Sequence, residues 1–252
     1  MQKIEVMGIP FDNVTLSESV IRAFSFINEK KQALAVTPNA EILEICFNKS
    51  EVKEAVLSAE IVLPDGEGAL WAARKLGSPL KEKVAGVDFG LECARRAACE
   101  GKSIFLLGGK AGVAEKAAHA LKNKFPTLNI CGTNDGYFCR TGKENTLVID
   151  KINKSRADIL FICLGAPAQE IWAKENRNAL SAPKLIACLG GSIDIYAGNS
   201  KRAPKIFLKT RTEWLWRLMC EPKRIFRMAN LPKFIISVYK YKRNLKKKRN
   251  IQ

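Results

Sequence analysis

One histidine, His119, serves the whole chain, and none of its eight cysteines falls in a C-x-x-C pair. Zinc fingers and ribbons need closely spaced Cys and His ligands, so that spacing excludes them. Cys46, Cys93, Cys99, Cys131, Cys139, Cys163, Cys188 and Cys220 read instead as reduced, core-filling residues, and no metal is expected. Long apolar runs are missing too. No stretch reaches the roughly 20 residues of a spanning helix, and Met1-Gln2-Lys3-Ile4-Glu5 lacks the apolar region of a signal peptide. The expected location is the cytosol, with docking on a membrane allowed. Acidic residues are scarce in one place: from 201 to 252, 17 Lys and Arg stand against Glu213 and Glu221, a net +15 out of +17 for the whole chain. The chain is a near-neutral body, 1–200, followed by a basic appendage, 201–252.

A clustered basic surface attracts phosphates, whether in nucleic acid, anionic lipid or a nucleotide diphosphate. The residues between the charges favour lipid. Trp214, Trp216, Leu218, Ile225, Phe226, Leu231, Phe234, Ile235, Ile236, Val238, Tyr239 and Tyr241 alternate with Arg217, Arg224, Arg227, Lys233 and Lys240. That is the composition of helices lying in a bilayer interface, here on the inner face of the membrane. The competing expectation for 222–243 is that the apolar stripe packs on the body and the charges face water. Exposed apolar surface on the appendage would also permit self-association into a homo-oligomer.

With 47% apolar residues, the body can bury a sizeable core. Short β-type runs at 4–7, 34–37, 61–63, 103–107, 129–132, 159–164 and 185–189 alternate with helical periods at 17–30, 51–58, 89–100, 113–125 and 169–180. Such alternation predicts an α/β, Rossmann-like fold with a mostly parallel sheet, in which ligands bind beyond the carboxyl ends of the strands. The segments expected there are rich in Gly, Asn, Asp and Gln: Thr37-Pro38-Asn39, Pro64-Asp65-Gly66, Gly108-Gly109-Lys110, Asp135-Gly136-Tyr137, Ala168-Gln169-Glu170 and Ser192-Ile193-Asp194.

Gly108 and Gly109 lead from a strand into a helix, where backbone N–H groups can meet a phosphate; a plain tight turn explains them equally well. The full G-x-G-x-x-G spacing of nicotinamide enzymes is absent, which argues against a dehydrogenase. Asp65 follows an apolar strand. Its carboxylate either accepts a proton from a sugar hydroxyl or caps the next helix in an Asx turn.

Taken together, these segments resemble the WecG/TagA/CpsF glycosyltransferases, glycosyltransferase family 26. The matching pieces run in order through the chain: Thr37-Pro38-Asn39, Asp65-Gly66-Glu67-Gly68, Val84-Ala85-Gly86-Val87-Asp88, Leu107-Gly108-Gly109, Asp135-Gly136-Tyr137-Phe138, Gly165-Ala166-Pro167-Ala168-Gln169-Glu170, Gly190-Gly191-Ser192-Ile193-Asp194, Arg202-Ala203-Pro204, and Glu213-Trp214 through Arg224. The resemblance implies inverting, metal-independent transfer of N-acetylmannosamine, or its uronate, from a UDP-sugar donor to undecaprenyl-diphosphate-linked N-acetylglucosamine, as in wall teichoic acid linkage units; glucose is a further donor in such proteins. No cofactor is implied. Asp65 would be the general base, and Thr37, Asn39 and Gln169 would position the sugars. Tyr137 and Asp194 would lie near uracil and ribose. Gly108 and Gly109, with Arg217, Arg224 and Arg227 of an appendage closing over the site, would hold the diphosphate.

Three positions depart from that pattern. Lys83 stands where an Arg is common and offers a point charge rather than a fork to a substrate oxyanion. Ala168 replaces a basic residue and Pro64 a small one. A nucleic-acid-binding module, the reading from another class, would use the basic tail but leave the loop-rich body without a task, so no nucleic acid is expected as partner.

Overall fold

The computed structural model describes residues 2–204, 206, 207, 210, 212–220 and 231–249, without the side chains of Trp214, Arg217, Lys248 and Arg249. The chain opens with a hairpin, β1 (Lys3–Val6) and β2 (Ile9–Asp12), turned by Met7 and Gly8 at φ 54° and 80°. The segment 4–7 was expected in the parallel sheet; it pairs instead with β2, antiparallel, in a sheet of its own. Asp12 is fully buried and ties the hairpin to the body, its Oδ2 accepting from Val62 N at 2.8 Å and its Oδ1 lying 3.1 Å from the Arg22 guanidinium.

Next come α1 (Leu16–Asn28), β3 (Ala33–Val36), α2 (Ala40–Asn48), α3 (Ser50–Leu57), β4 (Ile61–Val62), α4 (Gly66–Leu76) and α5 (Gly86–Glu100). Helix α1 starts from a reciprocal cap: the Thr15 hydroxyl accepts from Glu18 N, and the Glu18 carboxylate accepts from Thr15 N. The second half holds β5 (Ser103–Gly108), α6 (Val113–Lys124), β6 (Asn129–Asn134), α7 (Gly142–Lys154), β7 (Ile159–Cys163), α8 (Ala168–Asn176), β8 (Leu185–Cys188) and the single turn α9 (Ser192–Tyr196).

Six strands form one parallel sheet in the order β4-β3-β8-β7-β5-β6. Nearly every residue of β3, β5, β7 and β8 is apolar and buried, as a sheet covered on both faces requires. Alternate residues feed two cores. Leu34, Val36, Leu107, Leu160 and Ile162 pack under α2, α3, α4, α7 and α8. Ala35, Leu106, Ile159 and Phe161 pack under α1, α5, α6 and α9. One row of register partners, Val62–Val36–Cys188–Ile162–Leu107–Asn134, crosses the sheet just below its carboxyl edge. Neighbouring strands β5 and β7 send their helices to opposite faces, which opens a crevice beyond that edge.

Two helices of the appendage follow, α10 (Glu213–Cys220) and α11 (Leu231–Arg249). The packing expectation for the apolar stripe holds in part; the stripe before Leu231 lies outside the described residues. Phe234 and Val238 are buried on the body, whereas Ile235, Ile236 and Tyr239 remain exposed. Phe234 stacks at 6.2 Å on Trp71 of α4, and Tyr241 meets Phe47 of α2 edge-on at 6.5 Å. At its start, Phe234 touches the close approach of Gly68 to Ala40; seven residues on, Tyr241 sits by Phe47, and Lys242 Nζ donates to Lys75 O. Ala40 and Phe47 are themselves seven residues apart, so α11 runs parallel to α2 in the groove between α2 and α4. Burial of Phe234 and Val238 contributes about 1.5–3 kcal/mol each to that docking.

The cysteine expectation needs correcting at three positions. Cys46, Cys93, Cys163 and Cys188 are buried, but Cys99, Cys139 and Cys220 are exposed.

Candidate active site

All six parallel strands contribute to the walls of one cleft of about 1180 Å³ at the carboxyl edge of the sheet. Asp65 enters it from the turn after β4. It occupies the N-cap position of α4, but its carboxylate makes no capping bond, so the Asx-turn alternative does not describe it. The turn is held through the backbone: Asp65 N donates to Pro38 O and Val84 N to Pro64 O. Asn39 does cap its helix, accepting from Ile42 N at 3.1 Å. Gly66 brings the Asp65 turn against the Asn39 side chain, and two residues further Gly68 packs so closely that a Cβ there would lie 2.6 Å from Ala40 Cβ. Thr37, on the same wall, donates to Cys188 O at 3.3 Å. Thr37, Asn39 and Asp65 therefore share one wall, built on the amino ends of α2 and α4.

The opposite wall is made of loops. Gly108 does not reach the cleft; its φ of 139° and the Cys163 carbonyl, 2.3 Å from where a Cβ would stand, make it a close-packing residue. Gly109 does line the cleft, with its carbonyl accepting from Gly136 N. Tyr137 is 75% exposed over the cleft, on an Asx turn in which Asp135 Oδ1 accepts from Tyr137 N. Phe138 beside it rests edge-on against buried Trp172. Asp194 lines the floor from the turn of α9.

Gln169 lies in the wall, and both polar atoms of its amide bond to protein: Nε2 donates to Glu170 Oε1 at 2.8 Å, and Oε1 accepts from Gly190 N at 2.9 Å. Lys83, expected at the substrate, is not a cleft residue. It pairs with Glu213 of α10 at 2.9 Å, both side chains under 20% exposed, and Arg202 pairs with Asp88 alongside. These contacts tie the start of the appendage to the segment flanking Asp65. Arg224 and Arg227 lie outside the described residues, as does the Arg217 side chain.

Of the cleft residues given no role in the sequence reading, four bear on its chemistry. Lys110, Arg140 and Lys201 bring positive charge from three separate segments. Each follows a motif that was noticed for its neighbours, so the signal was present but unused. Glu170 is the fourth, 2% exposed on the cleft wall. Burial pushes its carboxyl up to about 7, against the opposing hydrogen bonds of Gln169 and its own backbone. Nothing in a Gln-Glu pair signals burial. Cys163, also on the wall, is pushed up to about 12 by burial, which makes it a poor nucleophile.

A carboxylate beside Asn39 and Thr37 can take a proton from a bound hydroxyl, and cations on the facing loops can receive an anionic leaving group. Comparison with known proteins places the chain in a family. A family model described as "Glycosyl transferase WecG/TagA/CpsF family" matches residues 4–248. Similar curated proteins include those of Staphylococcus aureus strains MRSA252, NCTC 8325 / PS 47 and COL, each named N-acetylglucosaminyldiphosphoundecaprenol N-acetyl-beta-D-mannosaminyltransferase. Each is 31% identical over 247 residues, covering 97% of this chain and 95% of the relative.

Proposed function

Because the chain belongs to the WecG/TagA/CpsF family of glycosyltransferases, we propose that it moves N-acetylmannosamine from UDP-N-acetylmannosamine to undecaprenyl-diphosphate-linked N-acetylglucosamine. The names of the relatives supply the sugar and the acceptor. The observation that carries the mechanism is Asp65: a carboxylate on the cleft wall, not spent on capping its helix, with Asn39 and Thr37 beside it. Asp65 takes the proton of the acceptor hydroxyl as that oxygen attacks the anomeric carbon, and the bond to UDP breaks on the opposite side, inverting the centre. Asn39 and Thr37 orient the sugars. Tyr137 and Asp194 receive the nucleoside, and the Gly109 loop faces the diphosphate.

Charge developing on the leaving UDP needs neutralising. Lys110, Arg140 and Lys201 are on the cleft for this. Arg217, Arg224 and Arg227 of the appendage join them, the last two preceding in sequence a helix, α11, that starts beside the amino ends of α2 and α4. No helix among the described residues is long and apolar enough to cross a membrane. The exposed Ile235, Ile236 and Tyr239, set among Lys233, Lys240, Lys246 and Lys247, fit peripheral docking on anionic lipid, each basic residue adding about 1 kcal/mol near the surface. Docking on the inner leaflet would bring the cleft to its lipid-linked acceptor.

The same three cleft cations favour a second donor, the uronate of N-acetylmannosamine, whose carboxylate one of them could bind. UDP release, measured with each donor and the lipid-linked acceptor, for wild type and Asp65→Ala, tests both readings. Acceptor-dependent release from UDP-N-acetylmannosamine that disappears in the variant is the expected outcome. Release that survives the substitution removes Asp65 from the chemistry, and faster release from the uronate donor would replace the sugar.

A further inference from the structure

Glu170 is a buried acid that the mechanism above does not use. Its Oε1 accepts from the Gln169 amide, and its Oε2, equally sealed, has no hydrogen-bond partner. Through Gln169 it holds Gly190 N, so one carboxyl joins the β7 loop to the β8 loop at the floor of the cleft. Among the described residues no ion pair includes Glu170. From α2 it faces the Cys46 thiol and from β8 the Cys188 thiol, both held neutral by burial. Lys53 of α3 acts on Cys46, and Lys174 on its own helix is paired with Glu54 of α3. The remaining charged groups of the cleft are Glu41, Asp65 and Asp194 against Lys110, Arg140 and Lys201.

A buried carboxylate held only by a neutral side-chain amide and its own backbone N–H is poorly stabilised as an anion, and a diphosphate entering the same cleft brings two further negative charges into a low dielectric. We propose that Glu170 is a positioning residue of the donor site that is neutral whenever the donor is bound: entry of the UDP-sugar draws one proton from solvent onto Oε2. Oε1 stays an acceptor for Gln169, so the link to Gly190 survives the change of charge. The inference rests on the donor reading of the cleft given above.

Calorimetry of UDP-N-acetylmannosamine binding without acceptor, in buffers of different ionisation enthalpy, counts the proton. The intact sugar nucleotide is the right probe, because the terminal phosphate of free UDP itself titrates near pH 6. Wild type should take up about half a proton at pH 7 and bind about tenfold more weakly at pH 8 than at pH 6. Glu170→Gln, which keeps an acceptor for Gln169, should bind without proton exchange and without that pH dependence. Glu170→Ala should bind more weakly at every pH, and the Gln variant should restore affinity. Binding to wild type with no proton uptake, or unchanged uptake in Glu170→Gln, overturns the proposal. No binding to wild type at either pH removes the donor reading itself. Should the variants fold poorly, the infrared carbonyl band of a protonated carboxyl must still appear in wild type on adding donor; its absence has the same overturning force.

Discussion

The two walls of the cleft are held by different means. On the wall of Thr37, Asn39 and Asp65, helix ends meet almost backbone to backbone at Ala40 and Gly68, and Phe234 closes the junction from outside. On the wall of Gly109, Tyr137 and Gly190, loops run with open space around Gly165, Gly190 and Gly191, and hydrogen bonds such as Gln169 to Gly190 keep them in place. Under the proposed function, the difference separates two demands. Proton transfer needs a carboxylate fixed to a fraction of an ångström, which apolar packing supplies. Taking in and releasing a nucleotide needs loops that yield.

The strongest test of this contrast is Asp65→Asn, which should lower turnover by about 10²–10⁴ while leaving donor affinity unchanged. Single-turnover kinetics separate the two. Phe234→Ala removes a side chain that is 1% exposed and should cost about 3–5 kcal/mol. If packing fixes the first wall, urea titration will show that cost alongside a loss of turnover; a cost without loss of turnover would break the comparison.

Glu170 gives the pH arm of the contrast. Its folded value, about 7, lies above the unfolded carboxylate value. Between those values the native state binds more protons, so stability falls as pH rises from about 4 to 7 and is level above that. Relative to Glu170→Gln, wild type should lose roughly 3 kcal/mol across that window in denaturation at fixed pH values. The smallest effects come from a glycine pair. Gly68→Ala must spread α2 from α4 and should cost about 1–3 kcal/mol, with turnover reduced. Gly191→Ala, with open space and φ of −83°, should stay within about 0.5 kcal/mol.

Both walls were legible in the sequence, since Thr37, Asn39 and Asp65 on one and Gly109 and Tyr137 on the other stand in the segments it pointed to. Glycine-rich turns after apolar runs are local signals, and each one led to a cleft segment. Strand β2 was missed because Pro10 interrupts its pattern, and α2 because Ile42, Leu43, Ile45 and Cys46 make a run too apolar to show a helical face. The docking of α11, the burial of Glu170 and the pairing of Lys83 with Glu213 depend on partners far along the chain. Local periodicity cannot report those.

Helix α11 also has a consequence for the order in which the enzyme is made. The groove it fills, floored by Phe47 and Trp71, is synthesised more than 160 residues ahead of Phe234 and Tyr241. At about 5–20 residues per second, that apolar groove waits roughly 8–30 s for its cover. The hydroxyl of Tyr241 then donates to Glu5, which ties α11 to β1 as well. A nascent chain could thus hold a formed sheet and still lack a firm seat for Asp65, which ties the onset of glycosyl transfer to the synthesis of α11.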